Sequence, residues 1–272
     1  MAAAAIQECL EQNAEIKPKD TPLLLCLSEP ERVGRVIKDD NQFFHDLQKE
    51  LKIEFHSKSR IIPTGHVSIG IALKRARELI QEYKVEHVLI AATDSYLVAS
   101  TLMDYQDKER LLTSNNSNGF IPGEAGAAIV IEHMSKKSTL VCKGIGFGVE
   151  EAHIDSEKPF KADGLTTAIK DSLKDANCEM GDLDVRISDV AGEQYHFKEA
   201  TLALGRTLRK RKPEFDIWHP ADCVGELGSV SSLVMTIVFK TANEKSYSEG
   251  KNVVAHVGND DGKRTAWIMK WK

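Results

Sequence analysis

Residues Asn118-Gly-Phe-Ile-Pro-Gly-Glu-Ala-Gly-Ala-Ala-Ile-Val-Ile-Glu132 decide the fold of this chain. Glycine and proline open the segment with a turn, and the apolar residues after them predict a strand. The preceding Asn115-Asn-Ser-Asn-Gly119 has the composition of a loop. Because a hairpin across residues 134–138 would join this strand to Leu140–Val149, we expect these two strands to pair.

Upstream, a helical stripe of apolar residues begins at Gly65 and leads into a short apolar run, His87–Ala92. A continuous apolar run of this length is typical of a central strand that is covered on both faces. A helix followed by such a strand indicates a parallel sheet. Further predictions before Gly65 are a helix over 2–13, a strand over 23–27, a helix over 41–51 and a strand over 53–55.

Downstream, the order of elements repeats. The patterns predict helices over 164–177, 195–210 and 228–242, and strands over 185–190, 215–218, 252–257 and 263–270. Ile62-x-x-Gly65 precedes one buried helix, and Gly225-x-x-Gly228 precedes a second, which is apolar almost all round. We therefore expect one duplicated α/β domain over 1–272, with a first half of 1–150 and a second half of 151–272, and with two sheets around a helical layer.

Composition excludes several classes of protein. The chain has 272 residues, 42% hydrophobic and 28% charged, which is typical of a globular protein. A net charge of -5 disfavours nucleic acid and acidic membranes as partners. No apolar run approaches the ~20 residues of a membrane span. The five cysteines are widely spaced without any C-x-x-C, and the start lacks a signal-like segment, so we expect a cytoplasmic protein with free thiols and no zinc site.

The segment Asn118–Glu132 resembles the D-G-F-x-x-G-E-G-A-G-x-x-x-L-E segment of the β-ketoacyl synthases, which are thiolase-fold condensing enzymes. Gly65–Ala92 resembles the helix and strand that follow the nucleophile of that family, and Cys223–Phe239 resembles its G-H-x-x-G-A-A-G helix. The resemblance covers roughly residues 55–272. It implies a thiolase-like layered α-β-α-β-α fold built from two duplicated halves, with the N-terminal half shortened.

The catalytic positions of that family are empty in this chain. Condensing enzymes need a cysteine nucleophile and two histidines, or a histidine and an asparagine, beside it. The resemblance places Ile62 at the cysteine position, and Ala191 and Gly225 at the other two, with Glu226 as the alternative to Gly225. Acids in Gly258–Gly262 replace an apolar gate. The resemblance therefore implies a scaffold that no longer condenses, and we expect no enzyme activity, no cofactor and a filled pocket at Ile62.

Other polar residues of the ancestral pocket could carry a relocated chemistry. These vestigial pocket residues are His66, Asp94, Ser95, Glu124, Cys223 and Glu226. Cys223 with His219 could form a nucleophile, or both could line a corner of the chain. Glu226 starts a helix, which lowers a carboxyl pKa and suits a structural role better than a general base. The duplication would bring His66 near Glu226, Ser95 lacks His and Asp partners, and Glu124 matches a structural glutamate of the family.

The favoured function is a catalytically inactive, protein-binding scaffold of the chaperone or adaptor type. Asp94–Leu97 and Gly225–Gly228 are similar to segments of proteins that accompany type VI secretion effectors in Gram-negative bacteria, which implies a secreted effector as partner. The alternative is an acyltransferase or hydrolase that acts on acyl thioesters through Cys223 or Ser95. A regulatory subunit paired with an active synthase, similar to a chain-length factor, and a homodimer also stay open.

Overall fold

The computed structural model describes residues 1–135 and 139–272 and has a mixed α/β fold with two sheets. The chain forms two compact units. The first contains Met1–Lys108, Pro122–Met134 and Glu226–Leu233, and the second contains Glu109–Ile121, Ser135–Gly225 and Val234–Lys272. Among the described residues, no helix is long and apolar enough to cross a membrane. The division into halves at residue 150 stays a prediction.

The first unit is built on a four-stranded sheet of order β2-β1-β3-β4. Strands β1, β2 and β3 are parallel, and β4 runs antiparallel to β3. The strands are β1 (Leu23–Cys26), β2 (Arg60–Ile62), β3 (His87–Ser95) and β4 (Glu124–Glu132), and the helices are α1 (Ala2–Gln12), α2 (Asp40–Leu51), α3 (Ser68–Gln81) and α4 (Ala99–Asp107). All of β1 and the middle of β3 are buried, as expected for central strands that are covered on both faces.

The second unit is built on a five-stranded sheet of order β5-β9-β8-β6-β7. Strands β6, β7 and β8 are parallel, whereas β9 runs antiparallel to both β8 and β5. The strands are β5 (Leu140–Val149), β6 (Val185–Ser188), β7 (Ile217–Trp218), β8 (Asn252–Gly258) and β9 (Lys263–Trp271). The helices are α5 (Asp163–Ala176), α6 (Gln194–Thr207) and α7 (Ala221–Val224), and α8 (Ser231–Glu244) begins in the first unit and continues into this one.

Strand β5 differs from the prediction in its partner. Its expected hairpin with β4 is wrong, because β4 pairs with β3 and β5 pairs with β9. Three glycines of β5 allow helix α5 to lie directly against the strand, and a Cβ at Gly146 would be 2.0 Å from the carbonyl oxygen of Ala168. This close approach ties β5 to the sheet of the second unit. Residues 136–138 of the expected turn lie outside the described residues.

Other elements also differ from the sequence predictions. The strand predicted over 53–55 is absent, because the Ile53 and Phe55 amides donate to Gln48 of helix α2 and β2 forms the edge of the sheet instead. Phe55 is nevertheless buried in the core of the first unit. Helix α4 had no clear apolar stripe in the sequence and was not predicted. The short helix α7 was not predicted either, and the remaining helices and strands lie within a few residues of their predicted bounds.

Candidate functional site

Ile62 occupies the end of strand β2, immediately before the turn that leads into α3. Its side chain is buried with 7% exposure, and its carbonyl oxygen accepts hydrogen bonds from the Leu27 amide and the Ser68 hydroxyl. Gly65 has φ +61, and a Cβ there would be 1.9 Å from Glu29 Oε1. The start of this buried helix therefore presents an apolar side chain, and a carboxylate packs against its glycine.

The side chains of His66 and Glu226 contact each other within the first unit. His66 lies in the 3-10 turn Gly65–Val67, and its Nε2 is 2.8 Å from Glu226 Oε1. The same carboxylate oxygen accepts a hydrogen bond from the Gly228 amide at 2.7 Å and another from the Ser231 hydroxyl at 3.2 Å. Burial raises the pKa of Glu226, but His66 and these hydrogen bonds outweigh it, so the pKa is lowered overall. The proximity expected from the repeat is confirmed, and Glu226 is a stabilised carboxylate.

Asp94, at the end of β3, is a second buried carboxylate with a full set of partners. It forms a bidentate ion pair with Arg32, which was not singled out in the sequence. It also accepts hydrogen bonds from the Ser229 amide at 3.0 Å and the Ser95 amide at 2.8 Å. The guanidinium carbon of Arg32 lies 4.4 Å from the centre of the Tyr96 ring. Asp94 is therefore neutralised and satisfied inside the fold.

Glu29 completes this group of charges, which we call the buried ionic cluster (Glu29, Arg32, His66, Asp94 and Glu226). Burial raises the pKa of Glu29, and His66 and Arg32 lower it by less. Glu29 and Arg32 lie in a loop without any periodic pattern, so no sequence signal identified them. Three carboxylates and two basic groups in one unit form a largely self-compensated arrangement.

Ser95 and Glu124 lie opposite one another on strands β3 and β4. The Ser95 hydroxyl donates to Glu124 Oε2 at 2.8 Å and accepts from the Leu97 amide. A serine hydroxyl that donates to a carboxylate has a base within reach, although no histidine completes the arrangement seen in serine nucleophiles. Glu124 thus contacts the chain where it leaves β3, and the structural role that the resemblance implies stays a prediction.

Cys223 lies in the short helix α7 of the second unit, and its side chain is exposed. The histidine that was considered as its base, His219, instead has its Nδ1 3.0 Å from Asp222 Oδ2. Gly225 ends the helix with φ +79, a conformation that favours glycine. Cys223 therefore remains an accessible thiol, while Nδ1 of the nearby imidazole lies close to a carboxylate.

The loop that corresponds to the family's gate is held by an ion pair. Arg110 donates to both oxygens of Glu193, at 2.7 and 2.9 Å, and to both oxygens of Asp260, at 2.7 and 3.0 Å. Asp260 lies in the loop Gly258–Gly262, which also contains the buried Asn259. Sequence analysis noted the acids of this loop but not Arg110. A bidentate guanidinium on two carboxylates fixes the loop geometrically.

Ala191 lies close in sequence to Glu193 and provides no proton donor or acceptor in its side chain. Its neighbour Asp189 accepts hydrogen bonds from the Gly258 amide at 3.1 Å and the Ser188 hydroxyl at 3.2 Å. The positions that the resemblance assigns to catalysis are thus surrounded by internally bonded polar groups. Among the described residues, no group of three or more His, Cys, Asp or Glu side chains is arranged to hold a metal ion.

Comparison with solved structures identifies the fold. The OzmH KS7 ketosynthase domain of Streptomyces albus JA3453 matches with a TM-score of 0.77 at 11% identity, over 99% of this chain and 60% of that domain. A ketosynthase from module 6 of the bacillaene synthase of Bacillus subtilis 168 matches with a TM-score of 0.75 at 12% identity, over 95% of this chain and 55% of that one. The chain has the thiolase-like fold of the ketosynthases.

A third similar structure is a ketosynthase in complex with its acyl-carrier protein and a hexaketide, in the type II polyketide assembly AntDE:AntF. It matches with a TM-score of 0.77 at 13% identity, over 99% of this chain and 84% of that one. This chain spans only about 60% of the length of the OzmH domain. No protein-family profile matches the sequence, and no similar sequence was found among curated proteins.

One expectation from the sequence is corrected by these comparisons. The expectation that the protein is not an enzyme is wrong, because the solved structures with the same fold are ketosynthase enzymes. The empty catalytic positions, Ile62, Ala191 and Gly225, led to it. Sequence identities of 11 to 13% establish a shared fold, and they are compatible with an active or an inactive ketosynthase-like protein. The three positions therefore do not by themselves decide the chemistry.

Proposed function

We propose that this protein uses a ketosynthase-type fold to bind a protein partner, as a chaperone or adaptor. The observation that supports the proposal most is Ile62, because a buried aliphatic side chain takes the position at which the resemblance implies the nucleophile. His66 and Glu226 beside it are bonded to each other. This contact contributes to the packing of the fold around the end of the helix near Ile62, which supports a scaffold role.

The same proposal includes the degenerate character of the site and a secreted effector as partner. The resemblance of Asp94–Leu97 and Gly225–Gly228 to proteins that accompany type VI secretion effectors supports the effector. Asp94 and Gly228 meet in the first unit, since a Cβ on Gly228 would be 2.1 Å from Asp94 Oδ2. These two short segments therefore pack against each other, which is compatible with a scaffold role.

A second candidate function is a transferase or hydrolase of acyl thioesters. The exposed thiol of Cys223 favours it, since an accessible cysteine can form a thioester. Ser95 is the other candidate nucleophile, because its hydroxyl already donates to Glu124. The ketosynthase that matches this fold in complex with an acyl-carrier protein adds to this candidate.

Two measurements test these functions. For the scaffold, the chain is co-expressed with a type VI secretion effector, and light scattering after gel filtration is expected to show a stable complex of defined stoichiometry. Two separate peaks would contradict the proposal. For the second candidate, intact-mass analysis follows incubation with acyl-CoA and acyl-carrier-protein donors. An adduct that Cys223→Ala or Ser95→Ala removes would establish acyl transfer and name the nucleophile, and its absence with every donor would count against this candidate.

A further inference from the structure

A cavity of about 250 Å³ lies in the first unit, where strands β1 and β3 end. The carboxyl ends of parallel strands are where α/β sheets commonly bind ligands. Ser95 and its two predecessors on β3 line the cavity, and residues of helix α2 form a wall. Ile62, His66 and Glu226 do not line it, whereas Asp94 of the buried ionic cluster does.

One face of α2 supplies both apolar and acidic groups to the cavity. Phe43, Asp46, Leu47 and Glu50 follow one another at intervals of three, one and three residues, which places them on the same side of the helix. Leu47 is buried and Phe43 is half-buried, whereas Asp46 and Glu50 are exposed. The cavity thus has an apolar wall and two carboxylates where it opens to solvent.

The polar groups at the inner end of the cavity already have partners. The Thr93 hydroxyl donates to the Ala125 carbonyl oxygen, the Ser95 hydroxyl donates to Glu124, and Asp94 is paired with Arg32. At the opening, Asp46 accepts one hydrogen bond from Gln42. Glu50 has no hydrogen-bonding or ionic partner among the described residues. The groups available to a ligand are therefore an apolar surface inside and carboxylates outside.

We propose that this cavity binds the end of an alkyl chain that carries a primary ammonium group. The methylenes would be buried against Phe43 and Leu47, and the ammonium would lie between the carboxylates of Asp46 and Glu50. An ammonium is compact and has three donors, so it can bond to carboxylates on successive turns of one helix. The source of this group is a free alkylamine or a lysine side chain of another protein. The inference does not depend on the proposed function.

Calorimetric titration of the whole chain with three probes of equal length tests the proposal. Hexylammonium is expected to bind at least about fivefold more tightly than 1-hexanol, and hexanoate more weakly than either, because only the cation complements the carboxylates. The double variant Asp46→Asn, Glu50→Gln is expected to abolish the preference for the cation. Glu82→Gln, at an exposed site after α3, is the matched control and is expected to retain it.

A second variant locates the binding. Ala3→Phe fills the cavity without changing its charge and is expected to abolish binding of hexylammonium and 1-hexanol alike. Equal affinity for the cation and the alcohol, or an unchanged preference in the double variant, would overturn the proposal. If a variant fails to fold, the comparison of the three probes on the unaltered chain still decides it.

A lysine peptide distinguishes the two sources. Acetyl-Leu-Lys-Leu-amide is titrated beside hexylammonium. Binding of both, each sensitive to Asp46→Asn with Glu50→Gln, assigns the cavity to a lysine-bearing segment of a protein. Binding of hexylammonium alone assigns it to a small alkylamine. Either outcome supports the shared chemistry, whereas binding of neither overturns it.

Discussion

His66 Nε2 lies 2.8 Å from Glu226 Oε1, although 160 residues separate the two in the chain. His66 lies in the turn Gly65–Val67, which precedes helix α3. Glu226 lies two residues before the turn Gly228–Val230, which precedes helix α8. The pair therefore joins the two starts of the repeated motif inside the first unit. The carboxylate therefore fixes the orientation of the imidazole ring through Nε2.

Replacement of Glu226 by Gln is expected to lower the free energy of unfolding by about 2 kcal/mol at neutral pH, because His66 and two hydrogen-bond donors lose a charged acceptor. The pKa of Glu226 is lowered in the folded chain, so its contribution is present above its usual value of 4.5 and is lost as the pH falls through the folded value. The difference between the two proteins should shrink on acidification. Urea unfolding at several pH values measures it, and a constant difference would contradict the assignment.

Loss of Arg110 is expected to lower the free energy of unfolding far more than loss of the carboxylate of Asp260, one of its two partners. Arg110→Met removes the guanidinium that is paired with the buried Glu193 carboxylate and should cost about 3 to 5 kcal/mol of stability. Asp260→Asn removes a carboxylate whose side chain is 38% exposed, and should cost less than about 1 kcal/mol. Chemical denaturation of both variants checks this order. Similar losses of stability in the two variants would mean that the contact of Arg110 with Asp260 in the loop contributes more than its contact with the buried Glu193.

Two glycines give opposite expectations for the same substitution. Gly228 has φ +58 and a Cβ there would be 2.1 Å from Asp94 Oδ2, so Gly228→Ala should destabilise the fold by about 1 to 3 kcal/mol. Gly205 lies in helix α6, and a Cβ there would meet no atom within 4 Å, so Gly205→Ala should stabilise the fold by up to about 1 kcal/mol. Thermal unfolding shifts of opposite sign are expected. A loss at Gly205 would contradict the packing described for α6.

His256 is expected to make the fold sensitive to acid. Burial, with Arg186 and Arg264 nearby, lowers its pKa from 6.5 to about 3, so the folded chain keeps the imidazole neutral while the unfolded chain binds a proton. Stability should therefore fall as the pH drops from 6.5 towards 3, with a contribution of about 1.4 kcal/mol per pH unit. His256→Asn should flatten this dependence. The exposed His45→Asn is the control, and equal slopes in both variants would refute the role of His256.

One part of the candidate site was predictable from local sequence patterns, whereas another part depends on contacts between residues that are far apart in the chain. The repeated turn motif was readable in the sequence, and it led to the expectation that His66 and Glu226 are neighbours. Glu29, Arg32 and Arg110 were not identified, because their significance comes from partners that lie far away in the chain or from a loop without periodicity. Ion pairs of this kind have no spacing rule in a single sequence.

Most of the helices and strands were predictable from the sequence, because hydrophobic periodicity and glycine turns act over a few residues. The buried run in β3 and the turn before β4 were predicted for this reason. Only the tertiary structure decided which strands pair. Sequence proximity favoured a hairpin of β4 with β5, but β3 forms the full ladder with β4, and the glycines of β5 pack that strand against α5 beside β9. Strand pairing depends on how whole faces pack together, and short segments of a sequence do not contain that information.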